Sequence, residues 1–321
     1  MIELINPINK SVIEKTEHGY IDSNGRIFPL VNGVLRLVEE GNYTDSFGFQ
    51  WNKFQKTQID TEKNNLFSKA RFFAETGWDK ENLEGKNVLE VGSGAGRFTQ
   101  IVLDYTRANL YSVDYSSAVF ANYRNNGHHG DRLRLFQASI YELPFPDNTF
   151  DKIFCFGVLQ HTPDFKKSVK CLIDKASPGG EVVVDFYTIN GWWTKIHAKY
   201  LFRPITKKIS HKKLLSMIDR NIDWLMKLYY FFEKIGIGRF VNRFLPICNI
   251  KGTLPANLSK KDLREWVVLD TFDMFSPEHD HPQKISTVSK WFREYGMEVT
   301  FAGMVTYSDN FEAAIVKGIK K

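Results

Sequence analysis

Three glycines alternate at positions 92, 94 and 96 in Glu90-Val-Gly-Ser-Gly-Ala-Gly96. They sit where a short apolar run, Val88-Leu-Glu-Val91, gives way to a helical pattern from about Ala95 to Tyr105. Glycine supplies the backbone freedom of a tight turn, and its missing Cβ lets a ligand approach the main chain. The spacing is Gly-x-Gly-x-Gly, which is neither the Gly-x-Gly-x-x-Gly of dinucleotide folds nor a phosphate loop with Gly-Lys-Ser/Thr. A second element sharpens the reading. Asp114 ends the next apolar run, Leu110-Tyr-Ser-Val-Asp114, where a carboxylate can accept two hydrogen bonds from a ribose diol. Glu90 can orient the loop or meet an amino acid portion of the ligand.

Other groups could carry acid–base work. His161 lies just past the fourth apolar run, and its ordinary pKa near ~6.5 suits proton removal near neutral pH. It could equally cap the helix that begins near Pro163. Ser276-Pro-Glu-His-Asp-His-Pro282 is the other dense polar cluster. His279 could act as a base there, although a solvated loop or a lid over a substrate fits the prolines as well. His279 and His281 have no third ligand near them in sequence, so no metal site is expected. Asp185 and Tyr187 end the fifth run and can face an acceptor, Tyr187 as a reacting group or as wall.

These residues need a scaffold. Apolar runs at 88–91, 110–114, 133–137, 150–156 and 181–187 alternate with single helical segments, which predicts a parallel sheet with helices on both faces. Ligands in such sheets bind beyond the carboxyl ends of the strands, at the point where strand order reverses. The segment 285–295 reads as a helix. Two runs, 298–303 and 311–319, follow as an antiparallel hairpin. Upstream, residues 1–45 read as a small β unit with turns at Asn24-Gly25 and Asn32-Gly33. Residues 46–80 lead into the core and contain a helix expected over 60–77. Residues 81–190 form the core, 191–265 a helical insert after the fifth strand, and 266–321 the rest of the sheet.

The chain has 321 residues, 43% of them hydrophobic and 25% charged, a globular balance. Its three cysteines, Cys155, Cys171 and Cys248, share no short spacing, so neither a zinc ribbon nor a disulfide framework is indicated. No signal pattern and no long apolar span is present, which predicts a soluble cytoplasmic protein. The net charge of +6 is unevenly spread. Residues 191–265 hold 16 Lys/Arg against 5 Asp/Glu, a net of +11, so the remainder is net −5. Trp192-Trp193, Tyr200-Leu-Phe-Arg and Trp224-Leu-Met-Lys-Leu-Tyr-Tyr-Phe-Phe232 lie in this basic stretch. The insert can be a lid over the acceptor, a peripheral contact with an anionic membrane, or a subunit interface. No nucleic acid motif accompanies it. The sequence leaves the oligomeric state open.

The segment Val88-Leu-Glu-Val-Gly-Ser-Gly-Ala-Gly-Arg-Phe98, followed by Val113-Asp114, resembles motifs I and II of class I S-adenosylmethionine (SAM)-dependent methyltransferases. Leu143-Pro-Phe-Pro-Asp-Asn-Thr-Phe-Asp151, Gly157-Val-Leu-Gln-His-Thr-Pro-Asp164 and Pro178-Gly-Gly180 are similar to later motifs of its ubiquinone-biosynthesis-like (methyltransferase domain 11) branch. Together these cover about residues 80–190. The flanks Phe47–Phe54, Arg203–Lys207 and Leu269–Pro277 resemble methyltransferases of bacterial polysaccharide or secondary-metabolite pathways.

The resemblance implies a Rossmann-like seven-stranded sheet and SAM as cofactor. It implies that Glu90, Gly92, Ser93 and Gly94 hold the cofactor's amino acid end, and Asp114 its ribose. Tyr115, Ser139 and Ile140 would meet the adenine, and Phe156 and Gly157 the methionine side. In such enzymes the N-terminal segment folds over the cofactor, so Trp51 would close the pocket and Arg71 pair with the cofactor carboxylate. Core packing and a solvated helix face are the plain alternatives for these two. Relatives with an N-terminal zinc ribbon imply that residues 1–45 are a metal-free remnant. The expected reaction is methyl transfer to a small-molecule or saccharide acceptor, at oxygen, in a biosynthetic pathway. The motifs report cofactor binding and not the fate of the methyl group. Intramolecular cyclisation releasing methylthioadenosine, or a non-catalytic SAM-binding module, therefore stays open.

Overall fold

A computed structural model of the chain describes residues 2–17, 19–38, 41–61, 66–79, 81–189, 191–255, 257–308 and 311–321. Short strands in the first 36 residues form a four-stranded meander ending in one hairpin, then a second hairpin. Strands β1 (Leu4–Ile5), β2 (Val12–Thr16), β3 (Gly19–Asp22) and β4 (Ile27–Phe28) make a small antiparallel sheet, turned at Asn24-Gly25 as the sequence predicts. The second hairpin departs from expectation. Its strands β5 (Leu30–Val31) and β6 (Val34–Arg36) flank Asn32-Gly33, but β6 pairs in parallel with a strand of the main sheet. Val34 and Leu35 are fully apolar and need cover on both faces, which a four-stranded surface sheet cannot give. The N-terminal unit is thus divided between two sheets.

The main sheet contains β7 (Asn87–Val91), β8 (Asn109–Asp114), β9 (Leu133–Gln137), β10 (Phe150–Cys155), β11 (Ala176–Phe186), β12 (Met297–Tyr307) and β13 (Phe311–Lys320). The spatial order is β12-β13-β11-β10-β7-β8-β9-β6-β5. Strands β7 to β11 are parallel; β13 runs antiparallel to β11, and β12 to β13. This is the Rossmann-like sheet expected, with seven strands extended by β6 and β5 at one edge. Parallel strands covered on both faces must be apolar throughout, and Val88, Leu89, Glu90 and Val91 are all buried. Chain order runs outward from β7 in one direction and from β10 in the other. The crevice for a ligand therefore opens beyond the ends of β7 and β10.

Helix boundaries shift modestly. The helix expected over 60–77 spans Phe67–Thr76 and stops at Gly77 in the left-handed region. Asp164 caps the helix Phe165–Lys175 through the Lys167 N–H at 2.9 Å. The helix after β8 starts at Val119, and Ser116 bonds back to Asp114.

The insert does not end at residue 265. Its long helix, His211–Lys234, buries Leu214, Ile218, Ile222, Leu225 and Tyr229. These pack in one cluster with Trp266, Val267, Leu269 and Phe272 of the helix Lys260–Phe275. Each such side chain stabilises the fold by roughly 1.5–3 kcal/mol, so the two helices fold as one layer. Behind it, the loop 276–283 is pinned to the sheet. The His281 N–H donates to the Gln160 carbonyl at 2.7 Å and the Gln283 N–H to that of Tyr187 at 3.0 Å.

Candidate active site

A cavity of about 790 Å³ opens where the topology requires, over the ends of β7 and β10. Its floor is the glycine loop. Gly92 has φ +83°, and a Cβ there would overlap the Val158 side chain. Gly94 has φ +54° and lies under the Trp51 indole; a Cβ would come within 3.2 Å of the indole nitrogen. Trp51 belongs to the helix Asp45–Lys53 and roofs the cavity.

Asp114 accepts from the Gly94 N–H at 2.7 Å, from the Ser116 N–H at 2.8 Å and from the Ser116 hydroxyl at 2.6 Å. These take three of the roughly four acceptor sites of a carboxylate. A diol would use the remaining one and compete with Gly94 for Oδ2. Burial raises the Asp114 pKa, and the three donors counter it. Tyr115, Ile140, Phe156 and Gly157 also line the cavity, and around Gly157 the place of a Cβ is open space.

Two of the expected cofactor contacts fall elsewhere, and a third is already engaged. Glu90 is buried beneath the loop, outside the cavity. Its carboxylate accepts from the Thr99 hydroxyl and, at 2.8 Å, from that of Ser112. Burial pushes it up to about 7. It joins β7, β8 and the helix Arg97–Tyr105, so it shapes the loop and does not touch the ligand space. Ser139 turns its hydroxyl to the Tyr141 N–H at 3.2 Å, and Ala138 lines the cavity in its place. Arg71 reaches the cavity but is already paired with Glu75 at 2.7 Å and with Asp185. With two of its nitrogens already engaged, it is less free to hold a further carboxylate.

Arg97, on the first turn after the loop, is a cation in the same wall with an uncommitted donor. Its guanidinium donates to Ser68 at 3.1 Å and Gln58 at 2.7 Å, and its Nη2 is buried without a partner. Burial and the neighbouring Arg71 lower it to about 10, so it stays cationic at neutral pH. The Ser93 hydroxyl and Gln50 Oε1 are likewise buried and unpartnered in the same wall. Such groups are costly unless something binds them. A ligand with an amino acid end at Arg97, Ser93 and the glycine loop, and a ribose at Asp114, fits this set.

The far half of the cavity is built from chain segments distant from the loop. His161 is buried, with Phe47 and Tyr187 packed on its ring at 5.1 and 5.6 Å. Its Nδ1 lies 3.0 Å from the His279 carbonyl. A carbonyl only accepts, so Nδ1 carries the hydrogen and Nε2 is the basic nitrogen. Burial lowers its pKa, outweighing the nearby Asp273 carboxylate, which keeps the ring neutral at pH 7. His279 therefore serves through its backbone; its ring packs on Tyr43 and His281, outside the cavity wall. The same carbonyl accepts from Arg203 at 2.7 Å, and Asp280 ties Arg203 and Lys199 at 3.0 and 2.9 Å. Tyr187 lines the cavity under the Lys199 ammonium, 4.6 Å from its ring centre. Desolvation by the surrounding chain and the Asp273 and Asp280 carboxylates raise its pKa above the ordinary value, although solvent reaches 42% of the residue through the cavity.

Sequence reasoning missed two carboxylates, Asp270 and Asp273, which project into the cavity from the helix Lys260–Phe275. Burial and Asp273 push Asp270 up to about 8. Gln50 donates to Asp273 at 3.3 Å. The signal was present: two acids three apart interrupt the apolar run Trp266-Val-Val-Leu-Asp-Thr-Phe-Asp-Met-Phe275. A second cavity adjoins, sharing Thr188, His197, Asn249 and Gly252 with the first.

A glycine loop at a parallel-sheet switch point, an acid closing the second strand and a β hairpin at the far edge define the class I methyltransferase architecture. Residues 89–184 match the family model described as methyltransferase domain, and the chain carries a class I SAM-dependent methyltransferase domain. The tRNA U34 carboxymethyltransferase of Nautilia profundicola is 35% identical over 112 residues, 34% of this chain and 37% of that protein. Phosphoethanolamine N-methyltransferase 2 of Caenorhabditis elegans is 25% identical over 190 residues, 54% of this chain and 43% of that protein. The chain thus matches less than half the length of either relative. A SAM-dependent methyltransferase structure from Aquifex aeolicus aligns with 84% of this chain and 98% of its own, at 14% identity and a TM-score of 0.46.

Proposed function

We propose that the protein methylates an oxygen of a small-molecule or saccharide acceptor, with SAM as donor. When bound, SAM supplies an electrophilic methyl group on a sulfonium. The chain's own residues then have three tasks. Arg97, Ser93 and Asp114 fix the cofactor's two ends. Trp51 and Phe47 keep water out from above. His161 takes the acceptor's proton at Nε2, held in the correct tautomer by the His279 carbonyl. Displacement at a methyl group is mainly a matter of alignment, and a hydroxyl acceptor adds the need for a base.

The observation that carries the reading is the neutral, oriented His161 in the wall of the same cavity as the glycine loop. Asp273 and the largely protonated Asp270 support a hydroxyl-rich acceptor, since the carboxylate accepts a strong hydrogen bond from a hydroxyl and the acid beside it can donate one. The same two acids favour a second reading, an amine acceptor. An acceptor screen separates them. Turnover of hydroxylated acceptors with release of S-adenosylhomocysteine supports the first reading, and turnover of amines alone replaces it with the second. Release of methylthioadenosine without an acceptor would point to cyclisation and overturn both.

A further inference from the structure

The exposed face of the helix His211–Lys234 has a pattern that neither the cavity nor the core uses. Met217, Trp224 and Phe231 recur every seven residues and are 45%, 52% and 54% exposed. A seven-residue repeat returns to one face of an α-helix. Between them on the same face stand Lys213, Arg220, Lys227 and Lys234, all exposed. Among the described residues none of these four pairs with a carboxylate. The helix's own acids beside this face, Asp219 and Asp223, are bound by Arg264 at 2.8 and 2.9 Å. Further exposed apolar side chains, Ile235, Ile237 and Phe240, continue past the helix end. Gly238 and Arg239, in that same turn, line the second cavity.

We propose that this face is a docking surface for an anionic lipid bilayer, on which the helix lies in the plane of the head groups. Large apolar side chains at this density are costly in water, and their regular alternation with cations matches an interface of acyl chains and anionic head groups. Lysine and arginine stems can lie along the apolar layer while their charges meet the lipid phosphates. A second copy of the chain fits poorly, because the charged positions of the stripe are cations, with Asn221 as a neutral polar group bonded to Trp224, and self-pairing sets like charges together. Among the described residues no helix is long and apolar enough to cross a membrane, so the contact is peripheral.

Flotation of the full chain with phosphatidylcholine vesicles containing about one-third phosphatidylglycerol tests the proposal. The expected result is flotation with the anionic vesicles and little with pure phosphatidylcholine. The double variants Trp224→Ser/Phe231→Ser and Arg220→Glu/Lys227→Glu should each weaken binding about tenfold or more. Calorimetric binding of S-adenosylhomocysteine should be unchanged in both, which shows that they fold. Its loss in the wild type would instead count against the cofactor site, independently of the bilayer result. The proposal is overturned if the wild type stays out of the vesicle fraction, or if both variants float as well as it does. It is also overturned if a short RNA duplex is bound while the vesicles are not. Sedimentation as a dimer that Trp224→Ser/Phe231→Ser converts to monomer would assign the face to a second copy.

Discussion

The two halves of the cavity are built by different means. The cofactor half comes from one stretch, β7 to β8, in which backbone conformation carries most of the recognition. The glycine loop, the Arg97 guanidinium and the Asp114 carboxylate all lie within the 23 residues from Gly92 to Asp114. The acceptor half draws on the helix Asp45–Lys53, the end of β11, the insert and the helix Lys260–Phe275. Its key tautomer is set by a backbone carbonyl from a loop 118 residues beyond His161. Local geometry can hold one cofactor across many proteins, whereas side chains delivered by long-range packing can change with the acceptor.

The sharpest test of the contrast is His161→Ala. If the acceptor half supplies the base, kcat should fall about 10²–10⁴-fold while S-adenosylhomocysteine affinity holds. Because burial lowers the His161 pKa, the acid limb of the wild-type rate profile should lie below the ordinary imidazole value and vanish in the variant. An unchanged rate at saturating substrates would remove His161 from the mechanism.

Asp114→Ala attacks the other half. It deletes the ribose acceptor and frees the Gly94 N–H, so S-adenosylhomocysteine should bind about 100-fold more weakly by calorimetry. Arg97→Gln should weaken it by a smaller but clear margin, and Arg71→Gln should act mainly on stability through the orphaned Glu75 and Asp185. A larger loss of affinity from Arg71→Gln would reverse the assignment of the two arginines. Asp273→Asn should raise the acceptor KM about tenfold and leave S-adenosylhomocysteine affinity within about twofold; a change confined to the cofactor would erase the division between the halves.

That division also marks what could be read from the sequence. The order of strands, the loop and Asp114 are local signals: apolar runs, glycine spacing and an acid at a strand end. The pairing of β6 with β9 is not, since a short apolar hairpin is compatible with several sheets. Sequence reasoning named Arg71 as the cation near the cofactor and passed over Arg97, and the ion pairs of Arg71 with Glu75 and Asp185 are what separate the two. His279 stood out as a histidine, yet the structure uses its carbonyl, a group every residue has. Asp270 and Asp273 announced themselves as acids in an apolar helix, but their target depends on how the insert packs.

Glu90 belongs to neither half's lining, and its effect is the smallest and the most specific. Its pKa rises from an ordinary 4.5 to about 7 because it is buried, which outweighs the Thr99 and Ser112 hydroxyls and the Thr99 backbone N–H that favour its charge. Below pH 4.5 both folded and unfolded chains hold the proton. Between there and about pH 7 the folded chain binds more protons than the unfolded one, so stability falls as pH rises through this window. Above it the loss is complete, on the order of 3 kcal/mol. Glu90→Gln keeps an oxygen that accepts from both hydroxyls and carries no charge. The variant should therefore melt at or above the wild-type temperature at pH 8, and the difference should close towards pH 5. Its cofactor affinity should change little, since Glu90 lies beneath the loop. A variant less stable than wild type at pH 8, with cofactor binding lost, would mean that the carboxylate's charge does hold the loop or the ligand, and would move Glu90 back into the cofactor half.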